Sequence, residues 1–300
     1  MFKKFNLIEA NTIDEFWDLL SPQKTLAEKP SQFIYRGQRN ADWQLVPSIL
    51  RKNSPSKVLF DPKDISAEEQ IFSELAILEE FVKQCDLLGL KIVNDSVTLR
   101  ENLRPQRHPA GKVCIDPAEW PSEQLIELMA LAQHHGVPTQ LLDWSKRSYV
   151  AAYFAASTAL AHHNAEEHDR KIAVWALNIE QIGFYRNIRI IKVPGSTSSN
   201  LAAQSGLFTV LKQAVTRGQS FPYKPLEDEL GAFTHTPLWK ITLPVRYAEK
   251  VLDLCDLYGV SASTLFSGFD GAAKAVRDWI NKYRYLNLLA GRNAFTGSEP

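Results

Sequence analysis

Ile172-Ala173-Val174-Trp175-Ala176-Leu177 is apolar at six successive positions. A surface strand alternates apolar with polar residues, and a surface helix repeats its apolar ones every three or four. A short run that is apolar on both faces reads instead as a central strand covered on each side. Working outward from it, residues 188–193, 207–211 and 238–243 add strands downstream. Upstream, Phe33-Ile34-Tyr35 is a short apolar run ending at Arg36-Gly37, which suits a strand running into a turn. Helical spacing fills the intervals. Ile13–Leu20 has Thr12 as its cap and Ser21-Pro22 as its stop. Ser66-Ala67-Glu68-Glu69 is a capping box, followed at helical spacing by Ile71, Leu75, Leu78, Val82 and Cys85. A helix over residues 122–135 ends at Gly136 and Pro138. Another begins near Ser148, with Tyr149, Tyr153, Ala156 and Leu160 on one face, and residues 247–258 and 270–283 close the chain as amphipathic helices. Residues 41–47 read as irregular, 86–117 as a long loop and 291–300 as a frayed tail. The expectation is one α+β domain with a central mixed or antiparallel sheet flanked by helices.

The 300 residues carry 34 basic and 34 acidic side chains, a formal charge of zero. Gripping duplex DNA depends on clustered Lys and Arg neutralising phosphates, so that class of partner is not expected. With 45% hydrophobic and 23% charged residues the chain is globular rather than disordered or collagenous. Cys85, Cys114 and Cys255 are odd in number, far apart and in no C-x-x-C pair. That pattern indicates free or structural thiols in a reducing compartment, not a disulfide frame or zinc knuckle. The first residues show no apolar signal segment, and the apolar stretch 148–161 is about six residues short of a bilayer crossing. The expectation is a soluble, cytoplasmic protein with no membrane partner. No metal is expected either. His134 and His135 are adjacent and cannot both face one ion from a helix, and His162, His163 and His168 lie in a hydrophilic stretch.

Two stretches hold most of the chemistry. In the first, the planar fork of Arg36 suits phosphate or carboxylate, and Gly37 permits a sharp turn or close approach of a ligand. Arg36 has a second role open to it, a buried ion pair with an acid such as Asp143. The second stretch, Leu131-Ala132-Gln133-His134-His135-Gly136-Val137-Pro138-Thr139-Gln140-Leu141-Leu142-Asp143-Trp144-Ser145, reads as a connection between helices crowded with polar groups. Either histidine suits a general base near neutral pH, or a bond to free carbonyls at a helix C-terminus. Asp143 suits a catalytic acid, a helix cap or a partner for Arg36, while Trp144, Trp120 and Trp279 read as core. Pro194-Gly195-Ser196-Thr197-Ser198-Ser199-Asn200 either cups phosphate or is an ordinary turn, and Arg100, Arg104 and Arg107 read as a solvated loop.

Taken together, Tyr35-Arg36-Gly37, the Gln133 to Ser145 string and Val150-Ala151-Ala152-Tyr153-Phe154-Ala155 resemble the FRG domain family, named for its aromatic-Arg-Gly triplet. The likeness continues through Asp42-Trp43, Leu45, Pro47-Ser48, Leu50-Arg51, Gln204, Gly206, Phe208-Thr209, Thr264-Leu265-Phe266 and Asp270-Gly271. It implies an FRG domain over residues 31–284, an N-terminal helix in residues 1–30 packed on it and a C-terminal tail over 285–300. The chain departs from the family habit at Gln140, where an arginine is common, at Asn200, where a basic residue is frequent, and at Ser267-Gly268-Phe269. If those arginines bind a ligand in relatives, this chain binds it less tightly or reads another.

The triplet followed by an Ala-rich helix with Tyr-Phe-Ala also looks like the core of ADP-ribosyltransferases. That likeness implies NAD as substrate, cleaved between nicotinamide and ribose by transfer or hydrolysis. It places Arg36 on the anionic part of NAD, Tyr153 or Phe154 beside the nicotinamide ring, and Tyr35, Gly37, Gln133 and Thr139 in the nucleotide pocket. The implied catalytic set is Arg36, His135, Asp143 and Gln204. Gln204 falls where such transferases carry a glutamate, so Asp143 and Glu229 are the substitute acids. The acceptor of any ADP-ribose is not indicated. The alternative is a non-catalytic nucleotide- or nucleic-acid-sensing module of bacterial phage defence or stress response, and a third reading makes every motif structural.

Overall fold

The computed structural model describes residues 3–23, 26, 30–51, 65–104, 116–162, 170–195, 199–212, 215–221, 223–231 and 235–296. Among these residues seven strands form a single sheet: β1 (Asn6–Glu9), β2 (Phe33–Gln38), β3 (Leu142–Ser145), β4 (Lys171–Asn178), β5 (Ile188–Ile191), β6 (Gly206–Leu211) and β7 (Leu238–Pro244). Their order is β1-β7-β4-β2-β3-β6-β5, with β1 and β7 parallel and every other neighbouring pair antiparallel. The α+β expectation holds. Its deciding stretch is a central strand: β4 pairs with β2 and β7 along its length, and residues 172–177 are fully buried. Two strands went unread. β1 and β3 are four residues each, too short to show a period, and β3 had been taken as part of a connection between helices.

The helices are α1 (Ile13–Leu20), α2 (Ala67–Leu87), α3 (Val97–Leu103), α4 (Ile126–His134), α5 (Ser148–Ala161), α6 (Ser199–Ala203), α7 (Leu226–Leu230), α8 (Ala248–Leu257), α9 (Ala262–Leu265) and α10 (Gly268–Thr296). Thr12 accepts from Glu15 N, and Ser66 and Glu69 form the expected capping box. Within the stretch read as a loop, α3 forms because Ser96 accepts from Leu99 N and buries Leu99 and Leu103. Two apolar positions give too little period to be seen. Arg100 is held by Asp86 and Asp95, whereas Arg107 and Cys114 lie outside the described residues. Cys85 and Cys255 are buried, unpaired thiols. Helix α10 runs well past the expected end at Tyr283, and it leaves Trp279 60% exposed beside Tyr283, so Trp279 is not core. The large side chain that α10 buries among the described residues is Tyr285, on another face. No helix among the described residues is long and apolar enough to cross a membrane.

Register and alternation fix what covers each face. Tyr35 pairs with Ser145 and Asp143 with Phe208, so these four share one face. At the β4–β2 end of that face, α1, α5 and α8 bury Phe33, Tyr35, Val174 and Ile241. At the β6–β5 end, α2, α3 and α4 bury Phe208, Val210 and Ile191. The opposite face buries Ile34, Trp175, Leu177 and Leu207 under Leu45, Tyr185, Leu226 and Leu230. The first face therefore has two helical layers with an interval between them.

Helix α5, expected near Ser148, is buried nearly all round and not only on the face of Tyr149, Tyr153, Ala156 and Leu160, because Ala151, Ala152, Ala155, Ala156 and Ala159 let it sink between the sheet and other helices. It lies across Gly37. The strand does not turn there, since β2 continues to Gln38. A Cβ on Gly37 would stand 1.9 Å from Ala151 O and 2.8 Å from Ala155 N, so the glycine serves helix-on-strand packing. Gly37→Ala should cost about 3 kcal/mol, because two backbones must separate to admit the methyl. Chemical denaturation checks this, and a loss under about 0.5 kcal/mol would contradict it.

Under α2, Glu74 is 2% exposed and accepts from Gln140 Nε2 at 2.6 Å, Trp120 Nε1 at 2.9 Å and Gln70 Nε2. Burial pushes its carboxyl up to about 7 even though all three donors favour the charged form. The folded state therefore holds its proton at a pH where the unfolded chain has released it. The resulting stability is complete below about pH 4.5 and is lost as the pH rises through about 7. A Glu74→Gln variant should lack this component, on the order of 3 kcal/mol between pH 4.5 and 8. Urea midpoints at pH 5 and pH 8 read it, and an unchanged pH dependence in the variant would refute the assignment.

Candidate active site

Strands β2 and β3 share a single ladder position, Tyr35 with Ser145. Beyond it they part, and Arg36 occupies the gap. Its Nη1 donates to the Asp143 carbonyl oxygen at 2.6 Å and lies 2.6 Å from Asp143 Oδ1. The guanidinium thus stands in for the next backbone bond while pairing with a carboxylate. Arg36 is 8% exposed, and its buried Nε has no partner among the described residues. Of the two roles open to Arg36, pairing with Asp143 is the one present.

Asp143 sits deep in the molecule at the floor of a cleft, yet its side chain is 64% exposed to that cleft. Gln133 Nε2 donates to Oδ1 at 3.3 Å, and Oδ2 has no hydrogen bond among the described residues. Desolvation at this depth raises the carboxyl pKa, but the Arg36 charge and hydrogen bond, helped by the Asp143 backbone and Arg51, outweigh it and hold the group below its usual value. Asp143 is therefore ionised at neutral pH with one oxygen available. Gln133 is itself fixed: Thr139 Oγ1 donates to its Oε1 and accepts from Leu141 N at 3.1 Å. Ser48 Oγ then bonds both Thr139 N, at 3.1 Å, and Thr139 O, at 3.3 Å.

The cleft measures about 250 Å³ and fills the interval between the two helical layers. Gly37, Ala151 and Phe154 line one side, Gln133 and His134 of α4 another, and Tyr35, Phe208 and Phe266 add aromatic surface. Downstream segments form the rim. Gln204 Nε2 donates to Leu265 O at 3.2 Å, and the Gln204 backbone carbonyl accepts from Ser145 Oγ at 2.7 Å. Asn200 Oδ1 accepts from Ser267 N at 2.8 Å, which settles its amide orientation. Asn200 Nδ2 then donates to His134 Nε2 at 2.9 Å, leaving the proton of a neutral imidazole on Nδ1. Burial, and secondarily the neighbouring His135, lower the His134 pKa in agreement.

Of the expected site residues, Tyr35, Arg36, Gly37, Gln133, Asp143, Phe154 and Gln204 meet in this cleft. His135 does not: it is exposed, and His134 lines the cleft in its place. Tyr153 is 2% exposed in the core and donates to Asp278 Oδ2 at 2.5 Å, so Phe154 is the aromatic wall. Thr139 acts behind Gln133 rather than at the surface. Glu229 is engaged with Asn187 and Lys224 outside the cleft, leaving Asp143 as the available acid. Gln140, where the chain departs from the family habit, is buried and donates to Glu74 in the core rather than lining the cleft. Ser196, Thr197 and Ser198 lie outside the described residues, as do His163 and His168. Reading the sequence missed Phe266 and Phe208 as walls, though both stand in motifs it singled out, while Trp144 is core as expected, its ring buried on the opposite face.

The FRG domain family model matches residues 31–164. The chain carries an FRG domain. No curated protein and no solved structure matches it. The FRG match contains β2, β3 and α5, and hence Arg36, Gln133, Asp143 and Phe154. Gln204, Phe208 and Phe266 come from chain beyond residue 164, so the FRG stretch supplies the floor and two walls while downstream elements complete the cleft. In an Arg36→Met variant the cation is gone and desolvation remains, so the Asp143 pKa should rise above the ordinary carboxylate value of about 3.9. A carboxyl carbon NMR titration reads this directly, and a value still below the ordinary one would mean that Arg36 does not hold it down.

Proposed function

We propose that the cleft binds the nicotinamide–ribose end of NAD and cleaves the bond between the two, as an ADP-ribosyltransferase or NAD glycohydrolase does. The observation that carries this reading is the ionised Asp143 carboxylate, one oxygen free, at the floor of an aromatic-walled cleft. A nicotinamide ring attached to ribose is a planar cation, which aromatic faces and a carboxylate both attract. At about 250 Å³ the cleft is below the roughly 300–1,000 Å³ of sites that enclose a drug-sized ligand, and suits one end of a dinucleotide.

In the reaction, nicotinamide leaves with the electron pair of the C1′–N bond, and the ribose passes through an oxocarbenium-like state. Asp143 Oδ2 stabilises that charge, as the carboxylate does in glycoside hydrolysis. The oxygen of water or of an acceptor hydroxyl then bonds C1′, and its proton passes to solvent. Gln204 holds a ribose hydroxyl without taking a proton, and Gln133 keeps Asp143 oriented. His134, whose Nε2 is already bonded, presents Nδ1–H as a donor rather than a base. One observation favours a sensing module as the second reading: Arg36 lowers the basicity of the one available acid.

Nicotinamide release from NAD by the full chain decides between these, with NAD binding followed by calorimetry. Asp143→Asn keeps the shape and removes the charge, so release should fall at least about a hundredfold while binding persists. Tight NAD binding by the wild type without release would make the cleft a sensor. Neither binding nor release would overturn both readings.

A further inference from the structure

Beside the cleft is a second cavity of about 180 Å³, between Pro22 and the start of α5, and Tyr35 lines both. Two cationic residues, Lys146 and Arg147, line it, and no carboxylate among the described residues does. Both are exposed. Lys146 has no ion pair among the described residues, and Arg147 Nη1 reaches only the Ala203 carbonyl, at 3.3 Å. Next in the lining come Ser148 and Tyr149, the first residues of the 14-residue α5. Their N–H groups precede the first intrahelical acceptors and lie at the positive end of the helix dipole. The N-cap residue, Arg147, offers no side-chain acceptor, and the Ser148 hydroxyl donates away to Leu20 O at 2.6 Å.

A separate observation points to a ligand. Tyr35 is 5% exposed, yet its hydroxyl makes no hydrogen bond among the described residues, and burial by itself pushes the phenol up to about 12. A phenol oxygen on a side chain this buried favours an acceptor. Tyr35 borders two cavities, so a molecule that fills them can supply it. The anionic portion of a nucleotide has no cation available in the first cleft, because the charge of Arg36 is taken by Asp143.

We propose that the second cavity is a phosphate-binding subsite, in which Lys146, Arg147, the N–H groups opening α5 and the Tyr35 hydroxyl hold a phosphate or diphosphate group. The identity of the whole ligand rests on the nicotinamide reading: its ribose end enters the first cleft and its diphosphate crosses Tyr35 into the second. The anion site itself does not depend on that reading. It moves the phosphate-binding role expected of Arg36 to residues 146–149.

Calorimetric titration of the full chain with inorganic pyrophosphate tests the subsite alone. Wild type should bind, the Lys146→Ala/Arg147→Ala double variant should bind at least tenfold more weakly, and Tyr35→Phe about tenfold more weakly. Circular dichroism and thermal melting establish that the variants are folded. No binding by wild type, undiminished binding by the double variant, or a Tyr35→Phe variant equal to wild type would each overturn the proposal. Pyrophosphate binding with the expected losses in a protein that neither binds nor cleaves NAD would keep the subsite and sink the nicotinamide reading. Nicotinamide release by a protein without a pyrophosphate site would sink this proposal alone.

Discussion

Between β2 and β3 the sheet is joined by one ladder position and one guanidinium, and most of what distinguishes the molecule follows from that joint. A continuous antiparallel ladder would leave no opening, and two wholly separate sheets would expose unpaired backbone. Arg36 resolves the conflict by donating to the Asp143 carbonyl through a side chain long enough to span the gap. The same group sets the charge of the cleft, because an arginine this deep stays ionised and needs an anion beside it. Removing either partner would leave the other without compensation. Structural and electrostatic roles are therefore one interaction here, and the two readings of Arg36, ligand contact and ion pair, are less opposed than they first look.

Rigid elements hold both sides of the opening. Gly37 lets the α5 backbone rest on β2, and the alanines of α5 let it be buried on almost every side. On the other side, Ser48, Thr139 and Gln133 form a chain of hydrogen bonds ending on Asp143. A carboxylate held this way loses little freedom when it meets a ligand, which is the condition under which electrostatic stabilisation is most effective.

How much of this was legible depended on length and on amphipathicity. The all-apolar β4, the capped α1 and α2 and the strands β6 and β7 each carry enough residues, or a chemically specific cap, to be read directly, and the four-residue β5 was legible only within the longer, mainly apolar run 188–193. β1, β3 and α3 are too short for a period, and β3 was further masked by the polar crowd around it. The site was readable as a set of motifs but not as an orientation. His134 and His135, like Tyr153 and Phe154, are neighbours about 100° apart on a helix. Where a helix is buried all round, as α5 is, no polar stripe marks which neighbour faces the cleft. Gln140 shows the same limit: its side chain turns into the core towards Glu74, 66 positions earlier in the chain, a contact no local pattern could announce.

The parallel pairing of β1 with β7 gives the sheet a temporal order. During synthesis the first strand emerges long before the one it pairs with, which in turn is also the partner of β4. At roughly 5–20 residues per second, the interval between residue 6 and residue 238 is about ten to fifty seconds. Throughout it the strand edges of the nascent chain lack their neighbours, and the cleft lacks the rim supplied by Asn200, Gln204 and Phe266. A ribosome-bound chain that stops short of residue 200 would hold the aromatic-Arg-Gly triplet without a finished pocket around it, so the cleft closes only once the segment from Asn200 to Phe266 has been made.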